Sequence, residues 1–523
     1  MVPRHGSSNS LYLFAIGSVA LLIVLGLAMF GRWTKPNSNP STADGTQDTS
    51  NATTSPDSDE ALMMYCAAGM RYPVDEIVKQ YEAEFGKKIS LNYSGSNTLL
   101  SQLEVNQTGD LYLAADDSYI TKGRDKGLLA EAIPVATQTP VIVVKRGNAK
   151  NIQSAADLLR DDVSVVLPDP DAAACGKKAK QLLSASGHWN ALQQSARVYK
   201  PTVNETINAV KIDVDAGIVW DSTVAQYPDM EAIHCEELDQ GRATIEIAVV
   251  KQTKHPTAAL HFARYLASID KGLEIFRAKG MQPVAGDRWS EHPELTLFAG
   301  AVNRKALEPI IKEFQEREGV TVNTKYNGCG ILTAEMRSLQ SNPVGSFPDT
   351  FMACDVYYME TVKDLFLESE NVSATDIVMV VKKGNPKKIQ TLKDLLRDDV
   401  RLVLGEPKQC TIGVLSKRLL QEEGIYDQLT RDKEINTKQT SAMLVPDVIT
   451  GSADVVLAYV TDTQAEANKV DVVPIESPQA KAIQPFSIAK SSANKYLSER
   501  LFEKIAQSRD KFEAAGFQWR LQK

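Results

Sequence analysis

The feature that most constrains this chain is an internal repeat with a very long period. The segment Asp157–Val163 (DLLRDDV) recurs unchanged as Asp394–Val400, an offset of 237 positions. At the same offset, Val143–Asn148 (VVKRGN) recurs as Val380–Asn385 (VVKKGN). Solenoid proteins repeat every ~20–50 residues, so this period indicates a duplicated domain and not a stack of small units.

Other matching segments show where the copies differ. Asp215–Trp220 is matched by Asp454–Tyr459 at a slightly larger offset. Small changes of offset indicate one domain type with loops of different length. We therefore predict two tandem copies, at residues 61–288 and 294–523, joined by a short segment.

Composition excludes several classes of protein. The net charge of -8 argues against a nucleic-acid partner, because such a partner requires a basic face. Six cysteines in 523 residues, with no CxxC pair, are too few for a disulfide scaffold, and the six histidines show no metal-ligand spacing. The sequence also lacks a GxSxG motif, a P-loop and a Ser-His-Asp order. We predict no enzyme activity, no cofactor and no structural metal.

The N-terminal region has the composition of a membrane anchor and a linker. After a short segment at 1–10, residues 11–30 carry no charge and are long enough to cross a bilayer as a helix. The run is longer than the apolar core of a signal peptide and lacks a good cleavage site, so we expect an uncleaved anchor. Residues 31–60 are polar and predict a disordered tether.

Within each copy, strand and helix patterns alternate. Helical spacing of apolar residues predicts a helix over Val74–Phe85, ending at Gly86. The short apolar runs of copy 1, which predict buried strands, are Leu62–Ala67, Ile89–Tyr93, Leu111–Ala114, Val141–Val144, Val163–Leu167 and Ile218–Trp220. Such alternation predicts an α/β fold with mixed, mostly parallel sheets flanked by helices, where ligands bind beyond the carboxyl ends of the strands.

Small and polar turns follow several of these strands. In Ser94–Thr98, glycine permits close approach of the backbone, and the polar residues that follow begin a helix whose first N–H groups can face a ligand. Comparable turns are Cys66–Met70, Asp169–Gly176 and Pro201–Thr206. Each alone is equally compatible with a plain strand-to-helix turn and its N-cap. Together they favour one anion cradle.

The order of these motifs resembles that of the periplasmic molybdate/tungstate-binding proteins. The segments that carry the resemblance are Glu84–Gly86, Ser94–Ser96, Gly109–Asp116, Lys145–Asn148, Cys175–Gly176 and Asp215–Trp220. It covers nearly the whole of each copy. It implies two tandem two-lobed periplasmic-binding-protein domains of type 2, each holding a small oxyanion between its lobes. It also implies delivery to an ABC transporter permease.

The resemblance assigns candidate contacts in copy 1 by position. They are Gly69, Ser94, Gly95, Ser96, the backbone of Ala172, Ala173 and Ala174, Glu205 and Trp220. Gly69 stands where the family usually has serine, and Trp220 stands where it usually has tyrosine. A carboxylate in the cleft would repel an anion, so we expect Glu205 to contribute only its backbone and to point its side chain outward.

Copy 2 departs further from the family pattern. Its candidate contacts are Val302, Asn327, Gly328, Cys329, Gln409, Cys410, Thr411, Ser441 and Tyr459. Tyr459 keeps the family's tyrosine, and backbone donors survive the other changes. Three interpretations of Cys329 and Cys410 stay open, namely a disulfide across the cleft, a soft-metal site, or small half-buried side chains.

The leading functional hypothesis is an extracytoplasmic solute-binding protein that captures molybdate or tungstate for ABC-type uptake. The resemblance places the body of the chain on the periplasmic or outer side of the cell membrane, held by the N-terminal helix. The alternative is a membrane-tethered sensor or scaffold for an oxyanion or metal, with no coupling to transport. Neighbouring genes for a permease and an ATPase would favour the first.

Overall fold

The computed structural model describes residues 61–196, 198–341 and 347–521. The predicted N-terminal segment at 1–10, the anchor at 11–30 and the tether at 31–60 lie outside these residues. Within the described ranges, no helix combines the length and the apolar character that a membrane crossing requires.

Copy 1 alternates strands and helices along the chain. Its strands are β1 (Leu62–Ala67), β2 (Ile89–Ser94), β3 (Leu111–Ala114), β4 (Leu129–Gln138), β5 (Pro140–Lys145), β6 (Val165–Pro168), β7 (Val198–Lys200), β8 (Ala216–Trp220), β9 (Met230–Ile233), β10 (Ala243–Val250) and β11 (Gln282–Pro283). Its helices are α1 (Arg71–Phe85), α2 (Ser96–Asn106), α3 (Ser118–Asp125), α4 (Ala174–Ala185), α5 (Trp189–Ser195), α6 (Val203–Ile212), α7 (Asp221–Val224), α8 (Glu236–Asp239), α9 (Pro256–Leu266) and α10 (Gly272–Ala278). Short 3-10 segments lie at Ala68–Met70 and Ala155–Leu159.

Copy 2 repeats the same order of elements. Its strands are β12 (Glu294–Gly300), β13 (Thr321–Asn327), β14 (Thr350–Met352), β15 (Glu370–Lys382), β16 (Leu402–Gly405), β17 (Asn436–Lys438), β18 (Val455–Tyr459), β19 (Val470–Pro474), β20 (Lys481–Ile488) and β21 (Gln518–Trp519). Its helices are α11 (Arg304–Glu318), α12 (Cys329–Ser341), α13 (Val356–Glu360), α14 (Thr411–Glu422), α15 (Tyr426–Asp432), α16 (Leu444–Thr450), α17 (Val460–Thr463), α18 (Lys495–Ala506) and α19 (Arg509–Ala514). Its 3-10 segments are Ala301–Asn303, Leu392–Leu396, Ser441–Met443 and Gln464–Glu466.

The strands of copy 1 form two sheets, which define its two lobes. Lobe A contains the order β11-β4-β10-β3-β1-β2, and lobe B contains β7-β6-β8-β5-β9. The chain passes from lobe A to lobe B at Thr139 and returns between β9 and β10. The tandem α/β architecture with two lobes in a copy is therefore present.

The sheets are mixed, as predicted, but the expected predominance of parallel pairs is wrong. In lobe A, β1 pairs in parallel with β2 and β3, but β10 runs antiparallel to both β3 and β4. The reason is the path of the chain. β1 to β3 run toward the other lobe, whereas β10 brings the chain back from it and so runs in the opposite direction.

Copy 2 joins its two lobes through one long strand. β15 pairs antiparallel with β20 in lobe A and with β18 in lobe B, so both sheets share it. In copy 1 the equivalent path is interrupted at Thr139, and Pro140 begins β5. Proline has no backbone N–H to donate to a neighbouring strand, which favours a break at this position.

The first long helix of each copy follows from its sequence. The helix predicted over Val74–Phe85 extends over Arg71–Phe85 and buries Val74, Ile77, Val78 and Tyr81 on one face. It ends because Gly86 adopts a left-handed conformation, with φ of 70°. α11 ends in the same way at Gly319, with φ of 67°.

The two copies contact each other through their A lobes, around a buried carboxylate. Glu318 at the end of α11 accepts hydrogen bonds from Arg264 of α9 at 3.2 Å and from Arg500 of α18 at 2.7 and 3.2 Å. All three side chains are at most 8% exposed. At the rim of this contact, the carboxylate of Asp287 accepts the N–H groups of Tyr496 and Leu497, near the start of α18.

A buried histidine near this contact predicts a pH-dependent stability. His261 bonds the Tyr81 hydroxyl at 2.8 Å, and burial with nearby Arg264 lowers its pKa from 6.5 to about 4. The folded state disfavours the charged ring, so the neutral ring contributes fully to folding stability above pH 6.5. This contribution is lost as the pH falls toward 4. Urea titrations at pH 6.5 and at pH 4 measure the free energy of unfolding. Between these values, the variant His261→Phe should lose on the order of 2 kcal/mol less of this free energy than the parent. Equal losses would contradict the assignment.

Candidate functional site

A small cavity lies between the two lobes of copy 1. Its volume is about 20 Å³. Its lining residues are Ala67, Ala68, Gly69, Ser94, Gly95, Ser96, Ala115, Ala173, Ala174, Cys175, Thr202, Val203 and Trp220. None of these side chains carries a charge. A single water requires a cavity of about 10–15 Å³. The cavity of copy 1 therefore suits a guest of a few atoms and is too small for a sugar or an amino acid.

Backbone turns at the starts of helices supply the donors around this cavity. Gly95 precedes α2 and Ala173 precedes α4, and neither helix start is capped by a side chain. The turn after Ala67 at the end of β1 is uncapped as well. The first N–H groups of a helix have no acceptor within it and carry partial positive charge. These turns therefore place available backbone N–H groups around a cavity whose lining contains no cationic side chain.

Hydrogen bonds across the cleft hold the lobes together. Asn97 of α2 in lobe A donates its backbone N–H to the carbonyl of Ala172 at 3.1 Å and its side-chain amide to the carbonyl of Asp171 at 2.7 Å. At the opposite edge, Gln226 of lobe B donates its amide to the carbonyl of Gly69 at 3.2 Å. The lobes are thus in contact on both sides of the cavity, and the described conformation is a closed one.

Gly95 is the point of tightest approach between the lobes. A methyl group on its α-carbon would collide with the carbonyl oxygens of Ala172 and Pro201, the latter at 2.7 Å. Gly95 itself has extended geometry, with φ of -69°, that any residue can adopt. Glycine is therefore required here by space and not by backbone conformation.

A second layer of contacts orients the cavity wall. Ser96 accepts the N–H of Ala115 on its hydroxyl at 3.2 Å, and its carbonyl accepts the Tyr112 hydroxyl at 2.8 Å. The adjacent acid Asp116 is buried, but it is neutralised by Lys178 at 2.9 Å. Burial raises the pKa of the Cys175 thiol well above its usual value, so this residue is a neutral thiol in the wall.

The structure brings most of the candidate contacts of copy 1 together. Those in the lining are Gly69, Ser94, Gly95, Ser96, Ala173, Ala174 and Trp220. Ala172 lies beside the cavity, because its carbonyl closes the lobes onto Asn97. The prediction of ligand-binding N–H groups at Ala172 and Ala173 is wrong, because both already donate to the carbonyl of Asp169, at 3.2 and 2.8 Å. The prediction for Glu205 is wrong in one respect. Its side chain is exposed as expected, but its N–H already donates to the Thr202 hydroxyl at 3.2 Å and is not available to a ligand.

Sequence reasoning missed several lining residues. They are Ala67, Ala68, Ala115, Cys175, Thr202 and Val203. Ala115 follows directly after β3, at the carboxyl end of a strand, and that position is a usable signal. Thr202 and Val203 lie in a turn already recognised as a polar helix start, in which the neighbouring Glu205 was chosen instead.

Copy 2 repeats the contacts that close the lobes of copy 1, but different residues surround its cleft. The N–H of Gly330 donates to the carbonyl of Gln409 at 3.1 Å, which reproduces the contact between Asn97 and Ala172. A methyl group on Gly328 would meet the carbonyls of Gln409 and Gln439, as at Gly95.

The other candidates of copy 2 divide into two groups. Asn327 uses its side-chain oxygen to accept the N–H of Gly328 at 2.8 Å, and Ser441 is buried near Asp462, whose pKa burial raises to about 6. The Asn327 oxygen is thus engaged within the protein. The remaining candidates, which are buried, are Val302, Cys329, Cys410, Thr411 and Tyr459.

The structure narrows the interpretations of the cysteines. All six are buried and free. The Cys410 thiol donates to the carbonyls of Glu406 and Lys438, at 3.6 and 3.5 Å. A disulfide between Cys329 and Cys410 is therefore not formed. Instead, the Cys329 sulfur accepts the N–H of Cys354 at 3.0 Å.

Fold and cleft together define a class. Two lobes that close over a small, uncharged, donor-lined cavity are the architecture of a protein that binds a small solute by hinge closure. The family model of bacterial extracellular solute-binding proteins matches residues 62–282 and again residues 295–518. The chain belongs to this family and carries its domain twice, which confirms the predicted tandem resemblance.

Individual relatives match about half of the chain. A binding protein of Haemophilus influenzae is 26% identical over 223 residues, which cover 42% of this chain and 91% of the relative. The molybdate-binding protein ModA of Mycobacterium bovis is 29% identical over 252 residues, covering 47% and 89%. The solved periplasmic molybdate-binding protein of Azotobacter vinelandii is 18% identical, with a TM-score of 0.37, covering 43% of this chain and 100% of that one.

Proposed function

We propose that copy 1 captures a small tetrahedral oxyanion of the molybdate or tungstate kind for ABC-type uptake. The observation that carries the proposal is the small cavity between the lobes, of about 20 Å³, which uncapped helix starts surround and no charged side chain lines. The relatives described as molybdate-binding support this choice among the solutes of the family.

Neutral donors suit a fully deprotonated dianion. Such a guest loses its hydration shell in the cleft, and hydrogen bonds to a charged group return about 1.5–3 kcal/mol each. The backbone N–H groups can only donate, so they disfavour a protonated anion, because the proton of that anion would face another donor. No lysine or arginine is needed, in agreement with the acidic composition of the chain.

The transport role includes two further elements of the proposal. The body of the chain acts outside the cytoplasm, held at the cell membrane by residues 11–30, and it passes the anion to an ABC permease. Uptake of molybdate by cells that lack this chain, compared with cells expressing the full chain, tests this coupling. Unchanged uptake would favour the alternative role as a tethered anion sensor.

Calorimetry of the full chain in mild detergent tests the ligand directly. Molybdate and tungstate should bind, while sulfate and phosphate should bind at least about tenfold more weakly. Lack of binding by all four anions would refute the oxyanion proposal.

A variant in the cavity wall locates the site. Ser94→Ala removes one hydroxyl from the lining, so molybdate affinity should fall by about 10- to 100-fold. Asn327→Ala alters the equivalent position of copy 2 and is the matched control, which should leave this affinity unchanged. Equal effects of the two variants would place the anion elsewhere.

A further inference from the structure

Two cysteines of copy 2 occupy positions that line the anion cavity in copy 1. The Cys354 N–H donates to the Cys329 sulfur at 3.0 Å, as the Ala115 N–H donates to the Ser96 hydroxyl at 3.2 Å. Cys329 therefore corresponds to Ser96, and Cys354 corresponds to Ala115. Both positions of copy 1 lie in the cavity wall.

The two sulfur atoms lie next to each other and face the same space. A methyl group built on Gly300 would collide with the sulfurs of both Cys354 and Cys329. Gly300 ends β12 as Ala67 ends β1, and Ala67 lines the cavity of copy 1. The absence of a side chain at Gly300 thus makes room for two thiols where copy 1 has alanine and serine.

An unpartnered buried hydroxyl points to a ligand at this place. The Tyr459 hydroxyl has no hydrogen-bond partner among the described residues, although the side chain is only 1% exposed. Tyr459 is the last residue of β18, as Trp220 is the last residue of β8 in copy 1, and Trp220 belongs to the cavity wall.

We propose that the cleft of copy 2 binds a soft monovalent metal ion of the Cu(I) or Ag(I) type through Cys329 and Cys354. Thiolates prefer soft ions, whereas hard ions require oxygen ligands. Among the described residues, no group of three or more His, Cys, Asp or Glu side chains is arranged around a metal position. Two adjacent thiols suit an ion that is stable with two ligands, and they do not meet the four that zinc requires.

The start of α12 partly offsets the charge that metal binding would create. Binding releases one proton from each thiol to solvent and leaves two thiolates around one monovalent ion, a net charge of minus one. α12 begins at Cys329, so the partial positive charge of its first N–H groups lies beside the sulfurs. The neighbouring Asp355 is not available as a ligand, because its two oxygens accept the N–H groups of Tyr357 and Ile483, each at 2.9 Å.

Competition titrations of the fully reduced full chain test the site. Cu(I) held by a chromophoric chelator, and Ag(I) as a probe that does not change oxidation state, should each transfer one equivalent to the protein. The double variant C329S/C354A places the residues of copy 1 at both positions and should weaken this binding at least about 100-fold. Cys235→Ser, which changes a thiol of copy 1 remote from both clefts, should have no effect.

Molybdate calorimetry on the same double variant separates this inference from the function proposed for copy 1. Unchanged molybdate binding together with lost Cu(I) binding supports a metal site confined to copy 2, when the circular dichroism spectrum and the thermal melt of the variant match those of the parent and so show that copy 2 folds. Retention of Cu(I) affinity in the double variant overturns the proposal. Failure of the reduced parent chain to bind either ion overturns it as well.

Discussion

Replacing Gly95 with alanine should lower the molybdate affinity of copy 1 by about 100-fold or more. The added methyl group would meet the carbonyl oxygens of Ala172 and Pro201 across the closed cleft. Both are backbone atoms that cannot rotate away, so the lobes would stop short of the described closure. Helix starts left too far apart cannot replace the water around a dianion. Calorimetry of Gly95→Ala beside the parent chain measures the loss.

Gly328→Ala provides the control, because its methyl group would meet the equivalent carbonyls of Gln409 and Gln439 in copy 2. It should leave molybdate binding unchanged and weaken the Cu(I) site proposed for copy 2. The backbone conformation of Gly95 is not strained by alanine, since its φ of -69° is ordinary. Thermal melts should therefore show no loss of stability in the absence of ligand. Full molybdate affinity in Gly95→Ala would show that the anion does not require closure of this cleft.

Replacing Glu318 with alanine should destabilise the chain by about 3–5 kcal/mol. Its carboxylate is 1% exposed and is shared by Arg264 and Arg500. Removing it leaves two buried guanidinium groups without a counter-charge, and their desolvation is no longer offset. Urea unfolding followed by circular dichroism measures the change. The first transition should move to lower urea, because the contact between the copies is lost.

Glu503→Ala is the matched control for this experiment. Glu503 also joins the two copies, through Arg124 at 3.2 Å, but both side chains are roughly 40% exposed. An exposed pair of this kind contributes at most about 1 kcal/mol. Similar losses of unfolding free energy in the two variants would show that burial does not make the Glu318 cluster more stabilising than the exposed pair.

The same contacts suggest how the clefts open. The copies contact each other through their A lobes, whereas closure in each copy joins lobe A to lobe B. Movement of either B lobe about its crossing strands therefore leaves the buried Glu318 cluster intact. Each cleft can open and close while the A lobes remain together, which fits two sites with different ligands.

Much of the local structure could be predicted from the sequence. β1 and β3 occupy the predicted ranges Leu62–Ala67 and Leu111–Ala114, because short apolar runs between polar turns have few other solutions. The end of α1 at Gly86 follows from the left-handed conformation that glycine adopts readily. The duplication, visible as repeated motifs, predicted the tandem architecture.

Strand direction and the membership of the site were decided only by the tertiary structure. β10 runs antiparallel because it returns from lobe B, and no local pattern records that path. Cys329 and Cys354 are separated by 25 positions and become neighbours only because β12 lies between β13 and β14. Periodicity and turn chemistry act over a few residues, so the chain by itself determined its elements and its repeat. Which atoms meet in the clefts depends on sheet order and lobe closure.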